Sequence, residues 1–333
     1  MKVSLVVSVF NEEEVLPLFW QAVQEVVRTW EGTEVEMVWV NDGSHDESQT
    51  FIRSLLDAPS PERISHQALE FSRNFGHEAA MIAGIDHATG DAVVCLDSDL
   101  QHPPAALPEM VKAFADGFDI VTMTRASRAD KKHTQRASSW FYRLLNTLSD
   151  FHFEENASDF FLISARVAEI LRTNFRERNR FLRGYVQTLG FDKTSLAYDA
   201  GARAAGESKY KWAGLFNLAN IAIFSFSRKP LYAAMAMALT FFLVTLGVGG
   251  YSLVVYFFGD KPPAGYTTLI VFLSLSFTML FFVLAVLSMY IGRGVEEIQE
   301  RPIYLIKERR SVGGQAPQTP NAERQATPNL NDT

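Results

Sequence analysis

Cysteine is nearly absent: Cys95 is the only one among 333 residues, so no intrachain disulfide framework can form. Its setting in AVVCLDSD predicts a small, buried strand residue. Positive charge is also short, with 31 Lys and Arg against 38 Asp and Glu, a net charge of -7 and a pI near 5.6. That balance argues against nucleic-acid binding through a global positive field and leaves only local basic grooves. No secretory leader is expected, because the run VSLVVSVF after Lys2 ends at Asn11-Glu12-Glu13-Glu14 and offers no cleavage region. Core-forming material is missing at the other end, where residues 311–333, SVGGQAPQTPNAERQATPNLNDT, are expected to be disordered and without a catalytic task.

What is present is uneven. With 47% apolar and 21% charged residues the chain is neither disordered throughout nor collagenous, and its length suits one large domain or two small ones. Residues 1 to about 205 mix short apolar runs with polar turns. VSLVVSVF, EVEMVWV and AVVCL read as strands, and VLPLFWQAVQEVVRTW has helical apolar spacing. This is an open α/β pattern with polar residues at strand ends, where ligand crevices form. Leu231 to Phe258 and Thr267 to Ile291 are long, almost uncharged runs, each sufficient to cross a bilayer, with the break DKPPAG between them. Arg228 and Lys229 precede the first run and Arg293, Arg301, Lys307, Arg309 and Arg310 follow the second, whereas the connection has only Lys261. The positive-inside rule then places both termini in the cytoplasm.

The richest local signal is DSDLQHPP at 97–104. Asp97 and Asp99, one residue apart after a strand, can meet one hard divalent ion, which can neutralise a diphosphate leaving group. Asn11, Glu13 and Asp42 lie at earlier strand ends, where they serve either the polar edge of a base or sugar or an ordinary cap and turn, with Gly43 permitting a close turn. Arg125, Arg128 and Arg136, with Lys131 and Lys132 between, form a basic stretch suited to phosphate. Asp159, before FFLI, stands apart from any charge cluster and suits an acceptor or sugar group.

SVFNEEE (8–14), VNDGSHDES (40–48), SRNFGHEAAMIAG (72–84), LDSDLQHPP (96–104), ASDFFLISARV (157–167), FLRG (181–184), RAAGESKY (203–210) and RPIYLI (301–306) together resemble the membrane-anchored polyisoprenyl-phosphate glycosyltransferases of glycosyltransferase family 2. That resemblance implies an α/β GT-A-like nucleotide-sugar domain over 1–205, juxtamembrane amphipathic helices over 206–230, a two-helix transmembrane hairpin over 231–291, a cytoplasmic segment over 292–310 and the tail over 311–333. It implies Asp97, Asp99 and Gln101 as metal and diphosphate residues, with Mg2+ or Mn2+ as cofactor. Asn11, Glu13 and Asp42 become nucleotide-sugar contacts, Arg125, Arg128, Arg136, Arg203 and Lys209 phosphate contacts, and Asp159 the acid near acceptor and sugar. Two departures stand out: His102 replaces the acid of DLQDPP, and Asn41 the first acid of DDGS.

The implied reaction is inverting transfer of glucose or N-acetylglucosamine from a UDP-sugar to undecaprenyl or another polyprenyl phosphate, in a bacterial cytoplasmic membrane. Mannose or an aminoarabinose derivative, and a noncatalytic scaffold, remain alternatives. A homo-oligomer, a tetramer by resemblance, is expected. Trp212, Arg228 and Lys229 within 210–230 suit the lipid interface.

Overall fold

The computed structural model describes residues 1–125, 157–178, 182–199, 229–258 and 265–312. Arg128, Arg136, Arg203, Lys209 and residues 206–228 of the expected interfacial stretch 206–230 lie outside them, as does the tail from 313 onward. The first half alternates β1 (Lys2–Val9), α1 (Leu16–Val27), β2 (Glu34–Asn41), α2 (Ser48–Asp57), β3 (Ile64–Phe71), α3 (His77–His87), β4 (Ala92–Asp97), α4 (Leu107–Ala115) and β5 (Ile120–Arg125). After β6 (Ala157–Ser164) come α5 (Ala165–Asn174), α6 (Leu182–Thr188) and β7 (Lys193–Tyr198). Two long helices, α7 (Lys229–Phe258) and α8 (Tyr266–Ile298), precede a last strand, β8 (Ile306–Val312).

The eight strands form one mixed sheet in the order β7-β5-β6-β4-β1-β2-β3-β8. It is a Rossmann-like α/β sheet: β4, β1, β2 and β3 run parallel, with β6 antiparallel to both β4 and β5. The chain winds outward from β1 to β3, then returns through α3 to place β4 on the other side of β1. Strand order therefore reverses between β1 and β4, and the crevice beyond their carboxyl ends is where such sheets bind ligands. Alternation along the strands supplies a core on each face. Leu5, Val7 and Trp39 pack with α1, α2 and α4, while Val6, Val38 and Val40 pack with α3 and α5. The approach of α3 is close, since a Cβ on Gly84 would lie 2.0 Å from Val6 Cγ1. Cys95 is fully buried in β4, as its setting predicts.

His66 shows how the core handles a polar ring. It is 2% exposed, its Nδ1 accepts the Trp39 indole N–H at 3.2 Å, and Trp20 meets it edge-on. Burial pushes its pKa from 6.5 down to about 4. A folded-state pKa below the unfolded one means that its contribution is complete above pH 6.5 and is lost as pH falls through 4. The loss should reach about 3 kcal/mol at the acid end. Thermal midpoints of the detergent-solubilised chain should therefore fall more steeply from pH 6.5 to 4 than those of His66→Gln, which keeps an acceptor for Trp39; parallel curves would refute the assignment.

The apolar runs form α7 and α8, whose stretches Leu231–Val255 and Val271–Ile298 have mean hydropathies of 2.1 and 2.4. At 1.5 Å per residue, each is long enough to span a hydrocarbon layer of about 30 Å. They pack on each other, with Phe241 and Phe272 rings 5.8 Å apart, and expose Leu239, Phe242, Leu253, Phe257, Leu269, Phe277 and Phe281. Two such apolar helices are consistent with membrane association as a hairpin. The expected second run ends at Ile291, but α8 continues to Ile298.

One boundary needs correction. The segment expected over 292–310 holds the end of α8 and most of β8, and β8 runs into the tail expected to be disordered from 311, pairing antiparallel with β3 from Phe71↔Ile306 to His66↔Val312. Ser311 and Val312 are strand residues. Composition missed this because the strand builds no core of its own. Its stability comes from ladder bonds and from charges supplied by distant segments: Arg53 bridges Glu70 at 2.9 Å and Glu308 at 2.6 Å, Lys307 pairs with Glu70, and Arg310 meets Asp57 at 3.0 Å.

Candidate active site

The site forms where β1 and β4 end. On the β1 side, Asn11 adopts a left-handed φ of 55°, and its Oδ1 accepts the His45 N–H at 2.8 Å. Asn11 N–H donates to Ser44 Oγ at 3.0 Å, Glu13 N–H to Asp46 Oδ2 at 3.1 Å, and Glu47 N–H to Glu13 Oε2 at 2.8 Å. Asn11 and Glu13 thus lock the loop after β1 to the loop after β2, including the start of α2.

Asp42 performs a second clamp. Its Oδ1 accepts the Phe75 N–H at 2.6 Å and its Oδ2 the Gly76 N–H at 2.9 Å, and the residue is 3% exposed. Burial pushes its pKa up, partly offset by those two N–H groups and by the positive charge of His77 and Arg73. The neighbouring Gly43 has φ +69°, and a Cβ there would lie 2.6 Å from the Arg73 carbonyl carbon. Only glycine accommodates both the conformation and the approach. Asn41, the departure from DDGS, forms the turn itself: its Oδ1 accepts the Ser44 N–H at 2.9 Å.

On the β4 side, strand register brings the acids together. Ser8 pairs with Asp97 across β1 and β4. The β4–β6 ladder runs from Ala92↔Ser164 to Cys95↔Phe161, and continuing it by two residues sets Asp97 opposite Asp159. Asp97 and Asp159 thus lie on neighbouring strands, and both carboxylates act on His77 and His102. Asp97 Oδ1 lies 3.3 Å from Ser8 Oγ and 3.5 Å from His77 Nε2, and Asp97 Oδ2 lies 3.5 Å from His102 Nδ1. Burial alone would raise the Asp97 pKa, but the positive charge of His77, the Ser8 hydroxyl and Arg125 act against it, and the pKa is lowered.

His102 is 1% exposed and stacks on Phe160 with 5.0 Å between ring centroids. Its Nδ1 accepts the Asp97 backbone N–H at 3.0 Å, which places the proton of the neutral ring on Nε2. Burial lowers its pKa despite the nearby acids, in agreement with that tautomer. His102 thus supports Asp97 from behind. Asp99 Oδ1 caps the following turn by accepting the Gln101 N–H at 3.0 Å, with Leu100 at φ 63°. Gln101 Oε1 accepts from Arg125 Nη2 at 3.3 Å, and Arg125 Nε donates to Tyr198 OH at 3.2 Å. Arg125 is the one basic-stretch residue among those described, and it is braced between Gln101 and Tyr198.

Three residues missed as site members complete the cluster. His77 and Glu78 open α3, and Arg183 lies in α6 with its Nε 3.5 Å from Asp159 Oδ1. His77 Nδ1 lies 3.0 Å from Ser8 Oγ. Burial opposes protonation of His77, yet Asp97, Asp159 and Glu78 together raise its pKa. Glu78 Oε2 accepts the Leu182 N–H at 2.9 Å, fixing the start of α6, while burial and Asp159 push the Glu78 pKa up. The signal was a charged pair at the first turn of the otherwise apolar HEAAMIAG, together with the Arg of FLRG.

Among the described residues no three His, Cys, Asp or Glu side chains form a metal cluster. Asp97 and Asp99 nevertheless offer hard oxygen donors in one turn, and Mg2+ is commonly held by one or two carboxylates plus substrate phosphates and water. The donor set fits that kind of ion, and family 2 enzymes are generally metal-dependent.

An acidic, histidine-flanked turn thus stands at the switch point of a Rossmann-like sheet, and comparison with known proteins gives the class to which the chain belongs. The family described as Glycosyl transferase family 2 matches residues 4–171, from β1 into α5. The chain is 37% identical over 308 residues to the SfII prophage-derived bactoprenol glucosyl transferase of Shigella flexneri, covering 92% of this chain and 98% of that protein. It is 37% identical to the prophage bactoprenol glucosyl transferase homolog of Escherichia coli K12, over 92% of this chain and 99% of that one. YkcC of Bacillus subtilis, a glycosyltransferase by name, is 36% identical over 91% of this chain and 93% of its own length. The chain belongs to glycosyl transferase family 2 and is a glycosyltransferase.

Proposed function

We propose that this protein transfers a hexose, glucose first among the candidates, from a UDP-sugar to the phosphate of undecaprenyl or a related polyprenyl lipid at a bacterial cytoplasmic membrane. The observation that carries this reading is the extent of the likeness: proteins named bactoprenol glucosyl transferases match over 98–99% of their length, both apolar helices included. The hairpin keeps the lipid tail in hydrocarbon while its phosphate reaches the crevice. Arg228, Lys229 and Arg293 at the helix ends support a cytoplasmic site.

Asp97 and Asp99 are the residues that would hold Mg2+ or Mn2+, with Gln101 beside them in the same turn, and the bound ion would neutralise the departing nucleoside diphosphate. His102 holds the Asp97 backbone N–H, while Ser8 and His77 hold its carboxylate. A lipid phosphate is already largely ionised near neutral pH, its second pKa being about 6, so a strong general base is not required. Asp159, paired with Arg183 opposite Asp97, positions the acceptor at the sugar's anomeric carbon, and inversion follows from in-line attack. Asn11, Glu13 and Asp42 form the nucleotide end, acting through the loops that they fix. Arg125 orients Gln101 at the phosphate end, where Arg128, Arg136, Arg203 and Lys209 are also assigned.

Detergent-solubilised protein given undecaprenyl phosphate, Mg2+ or Mn2+ and separate UDP-glucose, UDP-N-acetylglucosamine and GDP-mannose should yield a lipid monophosphate hexose by mass spectrometry, with UDP-glucose fastest. Absence of product from every donor in folded protein would refute the reading. A faster reaction with another donor would correct the sugar.

A further inference from the structure

A cavity of about 360 Å³ lies beside the reaction centre, between the loop after β3, the segment after α5 and the stretch that follows α8. Its size is at the lower end of the range for ligand pockets. Arg73, Phe75, Glu78, Arg178, Pro302 and Ile303 contribute to its wall. Three features locate it.

First, it adjoins the end of a membrane-length helix. Glu297, one residue before the end of α8, accepts the Arg178 backbone N–H at 2.9 Å, and Pro302 and Ile303 follow within five residues of Ile298. The opening thus lies next to the chain that leaves α8. Second, its inner wall is shared with the catalytic cluster. Glu78 stands beside His77, which faces Asp97, and binds the first N–H of α6, which carries Arg183 to Asp159. Third, its polar lining is cationic. The Arg73 guanidinium lies 4.0 Å over the Phe75 ring and spends one nitrogen on Asn74 O at 3.0 Å, leaving further donors on the fork. Arg178 supplies a second guanidinium. The opposing Glu78 carboxyl has its charge disfavoured by burial and by Asp159. Phe75, Pro302 and Ile303 add apolar surface beside these charges.

The geometry points to this cavity as the entry site for the phosphate monoester head of the acceptor lipid: Arg73 and Arg178 hold the phosphate, and Phe75, Pro302 and Ile303 hold the first isoprene unit. The inference rests on the lipid-phosphate reading above and adds to it a subsite that shares the Phe75–Gly76 loop with the nucleotide end. Planar guanidinium forks match a dianionic monoester better than a bulkier phosphodiester headgroup.

The test uses the full chain in phosphatidylcholine nanodiscs, with initial rates measured against undecaprenyl phosphate and against the sugar donor separately. Arg178→Ala should raise the acceptor KM about tenfold, as expected for one charge-assisted contact, with donor KM and thermal midpoint unchanged. Arg178→Lys, keeping the charge but not the fork, should fall between. Farnesyl phosphate should compete with the acceptor, and phosphatidylglycerol, a diester of the same bilayer, should not. Acceptor KM within twofold of wild type for both variants would overturn the subsite, as would parallel rises in both KM values or equal competition by phosphatidylglycerol. A wild-type protein that forms no lipid product refutes the function proposed above. Product from wild type with a silent Arg178→Ala refutes the entry site alone.

Discussion

Asp97→Ala is expected to lower kcat for lipid-linked sugar formation by about 10²–10³-fold, the usual cost of losing one electrostatic contact to a developing charge. The site makes the effect specific. Asp97 is oriented by Ser8, His77 and, through its own backbone N–H, by His102, so its carboxylate is fixed before any substrate arrives. Asp97→Asn keeps the size and a hydrogen bond to Ser8 but removes the charge, and should lose nearly as much activity. Donor and metal titrations against kcat separate the causes. Weakened metal dependence with an intact thermal midpoint supports the proposed role, whereas activity within tenfold of wild type in both variants would remove Asp97 from the chemistry. Removing this carboxylate also removes the leading contribution that raises the His77 pKa, so any alkaline limb carried by His77 should move to lower pH.

Asp42→Ala should be the most damaging substitution for the loop that carries the site. Two backbone N–H groups, those of Phe75 and Gly76, lose their acceptor in a position that is 3% exposed. Each unsatisfied buried donor costs about 1–3 kcal/mol, so the pair should cost about 2–6 kcal/mol. Because His77 and Glu78 follow directly, the same change should lower kcat and not only donor affinity. Asp42→Asn retains one acceptor and should fall midway in thermal stability. A variant that binds donor weakly but melts like wild type would show Asp42 to be a nucleotide contact and not a clamp.

The sequence made the parallel half of the fold readable because strand, helix and polar turn alternate at short range there, and the two apolar runs are legible by length alone. Asp97 and Asp99 were visible for the same reason: they close a clean apolar strand. Asp159 could be singled out but not placed, since its position opposite Asp97 follows from an antiparallel pairing across more than 60 residues of sequence. His77, Glu78 and Arg183 were overlooked because their chemistry comes from two helix starts that meet only in the folded chain. Asn11, Glu13 and Asp42 sit at the strand ends where they were expected, yet their hydrogen bonds run to neighbouring loops. The last strand was hidden most completely: IKERRSV carries too little apolar surface to announce itself, and its partner lies near residue 70.

That last strand ties the order of synthesis to the order of assembly. The edge of β3 stays open until the ribosome has made everything through Val312, and both long apolar helices emerge before that point. A nascent chain thus carries an uncapped sheet edge, the kind of surface that recruits other chains, until β8 has been made. Closing the edge brings the polypeptide back from the end of α8 to the domain it left, so the sheet is sealed last, by residues that follow both apolar helices. A chain that stops between α8 and β8 would keep both apolar helices yet present a bare β3 edge to other chains.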